Sequence, residues 1–298
     1  MMKALYSGVS GMRSHQTKMD VIGNNIANVN TNGYKSQRTT FRDIYYQQVK
    51  NPGAPSDDAS VIRGGTNSAQ VGYGAQVGSV DTIHTMSGYA PTNKATDLYI
   101  NGEGFFMVQD ASGNKYYTRN GAFNFDSDGN LVDVNGNVVL GVLGADIGVI
   151  DGTTKELTGT ITPINIKKDP ADTNYNYYKN ITINGDGTIS AYDETETDPT
   201  KSIKTIGQIA IANVPNPEAL VLQGNSYYTE SNNTGEIVSY EAGLGGTGNI
   251  VTGGLEMSNV DLANEFSDMI VTQRGFQANT KIISVVDQML EELVNLKR

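Results

Sequence analysis

The sequence predicts a mixed fold: N- and C-terminal α-helices pair as a coiled-coil stalk, and the residues between them form a mainly β, antiparallel, hairpin-rich domain. Apolar residues recur in steps of three and four at both ends of the 298-residue chain. Asn-Gly and Asp-Gly pairs separate short apolar runs in its middle. The predicted organisation is an assembly domain of 1–30 with 258–298, an irregular connector at 31–70, and a β domain at 71–257 with a small insertion around 146–180.

The predicted C-terminal helix has a wide apolar face, and Ser258–Asp261 fits a capping box at its start. Two neighbouring stripes form this face: Leu262, Phe266, Met269, Phe276, Ile283, Leu290 and Val294, beside Ile270, Ile282, Val286, Met289, Leu293 and Leu296. At about 1.5 Å per residue the helix is roughly 50 Å long. A small globular core cannot cover a helix of that length, so we expect it to need a partner.

The N-terminus supplies a second helix with the same spacing. Its apolar positions are Leu5, Val9, Met12, Met19 and Ile26, with Ile22 alongside. Four glycines interrupt the two helices: Gly8, Gly11, Gly23 and Gly275. Each costs up to about 1 kcal/mol inside a helix, so we predict close backbone approach to a neighbour at these positions. Neighbouring subunits would cover the apolar surface that remains; the alternative is an ordinary intramolecular helix pair that closes a single domain.

The middle of the chain alternates between strand and turn signals. Asn101-Gly102 and Asn120-Gly121 each follow an apolar or aromatic run, and residues 181–189 form a further predicted hairpin. Before the last helix the chain becomes glycine-rich, and we predict a hinge there. Its glycines are Gly243, Gly245, Gly246, Gly248, Gly253 and Gly254. This hinge and the 31–70 segment would let the β domain shift against the stalk.

Composition excludes several classes of function. The net charge of −11 disfavours binding to nucleic acid, and no apolar run has the length of a membrane span. The absence of cysteine excludes disulfides, thiolate metal sites and cysteine nucleophiles. No N-terminal stretch has the pattern of a cleaved signal peptide.

No pattern in the sequence predicts a catalytic, cofactor-binding or metal-binding site. Asp126–Asn130 and Asp133–Asn137 resemble pieces of a calcium loop but lack its glycine at position six and its glutamate at position twelve. We therefore interpret them as hairpin turns. The two histidines, His15 and His84, lie far apart in the sequence. We predict that the protein is not an enzyme and needs no cofactor.

Long motifs at both ends and in the β region carry a family resemblance. Residues 5–12 and 20–35, 254–262 and 269–279 resemble the opening and closing segments of the bacterial flagellar rod and hook family. Residues 97–106 and 117–123 are similar to its β-domain signatures. Residues 15–20 and 287–298 make the chain most similar, within this family, to hook subunits of Gram-positive type.

The resemblance implies a tubular homopolymer with the terminal helices lining the tube and the β domain facing outward. It implies an extracellular subunit of the flagellar hook that joins rod to filament, transmits torque and is exported by the flagellar type III apparatus without a cleaved signal. The implied partners are further copies of the chain, the distal rod protein, the hook cap and the hook–filament junction proteins. Nucleic acid and membrane insertion are not implied.

Three alternatives stay open at this level. The first is the distal rod subunit of the same family, which forms a straight shaft. The second is a secreted β-rich enzyme acting on glycans, which needs a pair of carboxylates at its site. The third is an adhesive module that binds through exposed tyrosines such as Tyr175, Tyr177 and Tyr178. Neither of the last two explains two heptad-patterned ends around a β body.

Overall fold

The computed structural model describes residues 2–55, 64–144, 157, 159–167, 178–192 and 203–296. The chain divides into two units. The first, the helical unit, comprises Met1–Ala27, Gln37–Ile83 and Val260–Arg298, and the second, the β unit, comprises Asn28–Ser36 and His84–Asn259. The predicted terminal helices and the predicted central, mostly antiparallel β domain are both present.

Two helices form the larger part of the helical unit. Helix α1 spans Met2–Ala27 and helix α2 spans Leu262–Asn295. The side chain of Asp261 caps α2 by accepting hydrogen bonds from the backbone N–H groups of Ala263 and Asn264. Its negative charge also favours the positive end of the helix dipole. The predicted start of α2 is therefore confirmed, but the cap is Asp261 itself and not Ser258.

Four strands complete the helical unit: β1 (Gln37–Asp43), β2 (Tyr46–Lys50), β3 (Ala69–Gly72) and β4 (Ala75–Thr82). Strand β1 pairs antiparallel with β4, and β2 pairs antiparallel with β3. The prediction of an irregular connector at 31–70 is therefore wrong over β1 and β2. Strand β2 is exposed along its whole length and β1 buries no side chain fully, so neither strand carries the regular apolar face by which a strand is recognised in a sequence.

In the part of the chain that the structure describes, seventeen further strands build the β unit, and most of them join one antiparallel sheet. They are β5 (Tyr89–Pro91), β6 (Leu98–Asn101), β7 (Phe105–Gln109), β8 (Lys115–Thr118), β9 (Asn124–Phe125), β10 (Leu131–Val132), β11 (Val138–Leu143), β12 (Thr162–Pro163), β13 (Lys179–Ile183), β14 (Thr188–Tyr192), β15 (Ile203–Ile209), β16 (Ile211–Asn213), β17 (Val221–Gly224), β18 (Tyr227–Thr229), β19 (Val238–Tyr240), β20 (Asn249–Thr252) and β21 (Gly254–Glu256). A short 3-10 helix, Pro217–Ala219, precedes β17. The path of the main sheet runs β13-β14-β15-β11-β7-β8-β18-β17.

The central strands of this sheet are buried on both faces. In β7, Phe106 and Val108 pack into one apolar cluster, while Phe105 and Met107 pack into a second. Successive side chains of a strand point to opposite faces, so a continuous apolar run indicates a core on each side. Ile164, from the predicted insertion at 146–180, belongs to the first cluster. Residues 145–156, 158 and 168–177 of that region lie outside the described residues.

Tight turns join these strands as predicted. Asp126 accepts hydrogen bonds from the backbone N–H groups of Asp128 and Asn130, and Asp133 does so in the next turn. Gly129 and Gly136 adopt positive φ angles of 79° and 86° in these turns. Both calcium-loop-like segments are therefore structural turns, as the sequence indicated.

The six glycines of the predicted hinge lie inside the β unit. Those from Gly243 to Gly248 form a turn closed by a hydrogen bond from Gly243 N–H to the carbonyl of Gly248. Gly254 begins β21, where an added Cβ would lie 2.4 Å from the ring of Tyr89. Local packing thus accounts for several of these glycines, and their role as a hinge stays a prediction.

A buried charge cluster joins three distant segments of the β unit. The Lys35 Nζ atom lies 2.6 Å from Glu256 Oε1 and donates a second hydrogen bond, of 2.8 Å, to the carbonyl of Thr85. Arg119 Nη1 lies 3.5 Å from Glu256 Oε2. All three charged side chains are buried. Burial lowers the pKa of Lys35 and that of Arg119, and the Glu256 carboxylate opposes both shifts.

His84 lies beside this cluster as an uncharged aromatic residue. Its ring packs against Phe105 and Tyr228 at centroid distances of 5.7 and 5.4 Å. Burial, followed by the charges of Lys35 and Arg119, lowers the pKa of His84 to about 4. At neutral pH His84 therefore adds no third positive charge to the pair of cations that Glu256 compensates.

Removing the Glu256 charge should destabilise the β unit. We expect Glu256→Gln to lower the free energy of unfolding by about 3 kcal/mol, because it leaves two buried cations uncompensated. Urea unfolding followed by circular dichroism measures this change. The control is Glu236→Gln at an exposed position of the same unit, where we expect a change within about 0.5 kcal/mol. Equal effects of the two substitutions would contradict this role of Glu256.

Candidate assembly surface

The two helices of the helical unit pack against each other in antiparallel register. Lys18 Nζ lies 2.9 Å from a carboxylate oxygen of Asp268. Further along, His15 faces Gly275, and Gly8 faces Ile283. Residue numbers fall along α1 as they rise along α2, which defines the antiparallel direction.

Glycine allows a close approach of the helices at two of the four predicted positions. A Cβ atom added to Gly11 would lie 2.8 Å from the Asn279 amide, and one added to Gly275 would lie 2.7 Å from the His15 ring. At Gly8 the nearest atom, in Ile283, would be 3.4 Å away. At Gly23 no atom lies within 4 Å. The predicted close approach is therefore confirmed for Gly11 and Gly275, whereas Gly8 makes an ordinary van der Waals contact and the prediction is wrong for Gly23 within the described chain.

Asn25 links the end of α1 to β1 and to α2. Its amide nitrogen donates hydrogen bonds to the Gln37 carbonyl (2.8 Å) and to Glu265 Oε1 (2.9 Å), and its amide oxygen accepts one from Gln37 N–H (2.9 Å). The side chain is buried. The surroundings of Glu265 raise its pKa, mainly through burial, with the Asn25 hydrogen bond opposing the shift. Apolar periodicity gave no signal for Asn25, because it detects only apolar residues.

Few apolar side chains of the helical unit are buried. Within its described residues, Ile22 and Val286 are the only apolar side chains in the buried class. Exposed apolar residues, by contrast, run along most of α2: Leu262, Phe266, Ile270, Val271, Ile282, Val285, Met289, Leu293 and Val294. Exposed apolar surface on this scale is typical of an interaction surface.

The residues predicted to drive assembly divide into two groups. One group is buried or half-buried: Leu5, Val9, Met12, Met19, Ile22, Ile26, Met269, Phe276, Ile283 and Leu290. The other is exposed: Leu262, Phe266, Ile270, Met289 and Leu293. The buried positions of the helices also include Ser14, Asn25 and Thr272, which the apolar pattern passed over. The exposed group is the part that the chain itself leaves uncovered.

Comparison with known proteins identifies the family. Residues 5–35 match the model described as flagella basal body rod protein, residues 99–191 match the flagellar hook protein FlgE/F/G D1 domain, and residues 251–296 match the C-terminal model of flagellar basal body rod FlgEFG proteins. The chain is 43% identical over 300 residues to the flagellar basal-body rod protein FlgG of Bacillus subtilis, with both chains fully covered. The chain belongs to the flagellar rod and hook protein family.

The chain is also similar to hook proteins and to further rod proteins of the flagellar rod and hook family. The flagellar hook protein FlgE of Borreliella burgdorferi is 32% identical over 446 residues, and the rod protein FlgG of Buchnera aphidicola from Acyrthosiphon pisum is 34% identical over 296 residues. The first alignment covers all of both chains, and the second covers 99% of this chain and all of the relative. The relatives named here are structural proteins of the flagellum.

The family motifs meet in the buried charge cluster. The matched N-terminal segment ends at Lys35, and the matched C-terminal segment contains Glu256, its partner across 221 positions. Gly33, with a φ of 68°, lies so close to Asn120 that an added Cβ would be 2.7 Å from the Asn120 backbone nitrogen. In this rod and hook protein the terminal motifs therefore contribute to the β unit as well as to the helices.

No group of three or more histidine, aspartate or glutamate side chains among the described residues is arranged to hold a metal ion. Neither helix in the part of the chain that the structure describes is long and apolar enough to span a membrane.

The glycine contacts generate a matched pair of substitutions. We expect Gly23→Ala to raise the free energy of unfolding of the helical unit by up to about 1 kcal/mol, because alanine favours the helix and nothing obstructs its Cβ. Gly11→Ala should not show that gain, because the Asn279 side chain must move away from the added Cβ. Thermal unfolding monitored at the helical band of circular dichroism measures both. An equal gain at the two positions would show that Gly11 is not in close contact with α2.

Proposed function

We propose that the chain is a subunit of the flagellar hook and that it polymerises into a tube through its terminal helices, which pair as a coiled coil. The apolar surface that α1 and α2 leave exposed is the observation that carries this proposal. Copies related by a repeated screw operation would cover this surface with a contact that does not close on itself, and such a contact produces a filament.

The remaining parts of the proposal follow from the family resemblance. The subunit would be exported by the flagellar type III apparatus without a cleaved signal and would assemble outside the cell. Its neighbours would be further copies, the distal rod protein, the hook cap and the hook–filament junction proteins. The polymer would join rod to filament and transmit torque, so we infer a structural role and not a catalytic one. The relatives are named as a flagellar rod protein and a flagellar hook protein, and these names support this inference.

The distal rod subunit is the second candidate, and a specific observation favours it. The Bacillus subtilis relative named as a rod protein aligns over 300 residues, close to the 298 of this chain, whereas the Borreliella burgdorferi hook protein aligns over 446. The hook proposal rests instead on the resemblance at residues 15–20 and 287–298. The two candidates share the assembly surface and differ in the shape of the polymer: a hook bends, and a distal rod is straight.

A charge placed on the exposed face of α2 should prevent assembly. Ile270 is 59% exposed in the single chain, and its burial in a polymer contributes about 1.5–3 kcal/mol per contact. We therefore expect Ile270→Asp to raise the critical concentration for polymerisation by at least about tenfold. Sedimentation of purified protein, with negative-stain electron microscopy of the pellet, measures this. Circular dichroism establishes that the variant is folded.

The matched control is Ile203→Asp in the β unit, at a side chain that is 68% exposed. It should polymerise as the unaltered chain does. Polymerisation of the Ile270→Asp variant at the unaltered concentration would contradict helix-driven assembly. Curved tubes from the unaltered chain support the hook, and straight tubes would replace it with the distal rod.

A further inference from the structure

Helix α2 is longer than α1, and the C-terminal end of α2 extends past the N-terminal end of α1. The contacts between Lys18 and Asp268, His15 and Gly275, and Gly8 and Ile283 fix the register of the pair. Met2 is the first described residue of α1. When the same register is continued to Met2, this residue lies level with the position of α2 just before Met289. Residues 289–296 therefore lie beyond the described end of α1, an overhang of about 12 Å at about 1.5 Å per residue. We call residues 289–296 the α2 tip.

The buried seam of α2 continues into this tip. Thr272 and Val286, fourteen residues apart, are 1% and 3% exposed, and Asn279, which contacts Gly11, lies midway between them. The next position at the same seven-residue spacing is Leu293, which is 48% exposed. The change from buried to exposed coincides with the end of α1. Leu293 thus occupies a seam position for which the described part of α1 supplies no partner.

Exposed apolar side chains and two carboxylates share the tip. Met289, Val294 and Leu296 are exposed together with Leu293. Glu291 and Glu292 lie between them and are also exposed. Lys297 and Arg298 follow in the sequence, outside the described residues. A partner for the described tip therefore needs an apolar surface with a positive charge beside it.

The outer side of α1 in the helical unit offers such a surface. A groove of about 330 Å³ lies between α1 and strand β4, and Tyr6, Val9, Ile44 and Val77 give it an apolar lining. Arg13 also lines the groove, is exposed, and forms no salt bridge with any residue that the structure describes. A chain's own tip cannot fill its groove, because Leu293 lies about twelve residues, or about 18 Å, along the axis from the level of Val9.

We propose that the α2 tip of one copy docks into the α1 groove of a second copy. Leu293 then contacts Val9, and Glu291 or Glu292 pairs with Arg13. Because the tip and the groove are different surfaces, each copy offers one of each, and the contact repeats without closing. This inference rests on the proposed function, since it names the contact by which the same polymer grows.

Cysteine cross-linking tests this contact directly, because the chain contains no native cysteine. Two single-cysteine variants, Val9→Cys and Leu293→Cys, are mixed in equal amounts, assembled and oxidised. Any disulfide between the two variants must then join different copies, and it forms only where the two Cα atoms approach within about 7 Å. We expect the mixture to give a disulfide-linked dimer on a non-reducing gel, reversed by a reducing agent, and either variant oxidised alone to stay monomeric on that gel.

The matched control mixes Leu293→Cys with Phe266→Cys, which places the thiol on the exposed face at the other end of α2. We expect no dimer from that mixture. Polymers that lack the Val9–Leu293 dimer, or that give the Phe266–Leu293 dimer instead, overturn the tip-to-groove contact while the proposed function stands. If the unaltered chain forms no polymer and the first mixture gives no dimer, both proposals fail.

Discussion

The structure depends on one constraint: the helical unit cannot cover its own apolar surface. Where the two helices meet, glycines such as Gly11 and Gly275 let them approach closely but bury little apolar area. Many of the long apolar side chains of α2, such as Phe266, Ile270 and Leu293, stay exposed. A single chain therefore gains modest stability from this pair, and the proposed contacts with further copies would add to it by covering that surface.

The β unit, in contrast, buries its own apolar side chains. Its central sheet is buried on both faces, so this part of the chain has a core of its own. The Glu256 carboxylate compensates the charges of Lys35 and Arg119. It thereby links three segments: Lys35 follows α1, Arg119 follows β8, and Glu256 precedes α2. Buried charges at these positions tolerate little substitution, because removing one partner leaves the others desolvated. The β unit thus has a core of its own, whereas the helical unit leaves exposed the surface through which we propose that the chain assembles.

The helices and many of the turns were predictable from the sequence, because the spacing of apolar residues and of turn residues indicates them directly. The three- and four-residue steps located both helices, and Asp261 fixed the start of α2. Asn-Gly and Asp-Gly pairs located turns such as Gly129 and Gly136. Polar contacts between distant segments give no periodic signal, so the Lys35–Glu256 pair and the Asn25 hydrogen bonds escaped prediction. Strands β1 and β2 were missed because neither buries a regular apolar face.

The most direct test of helix-driven assembly is amide hydrogen exchange, measured on the same protein as monomer and as polymer. Residues 262–296 are compared with β7, Phe105–Gln109, whose side chains from Phe105 to Val108 are buried within one chain. We expect exchange in the exposed segments of α2 to slow strongly on polymerisation, most of all beyond Met289, while exchange in the β core stays unchanged. A polymer in which α2 exchanges as fast as it does in the monomer would contradict the claim that these helices hold it together.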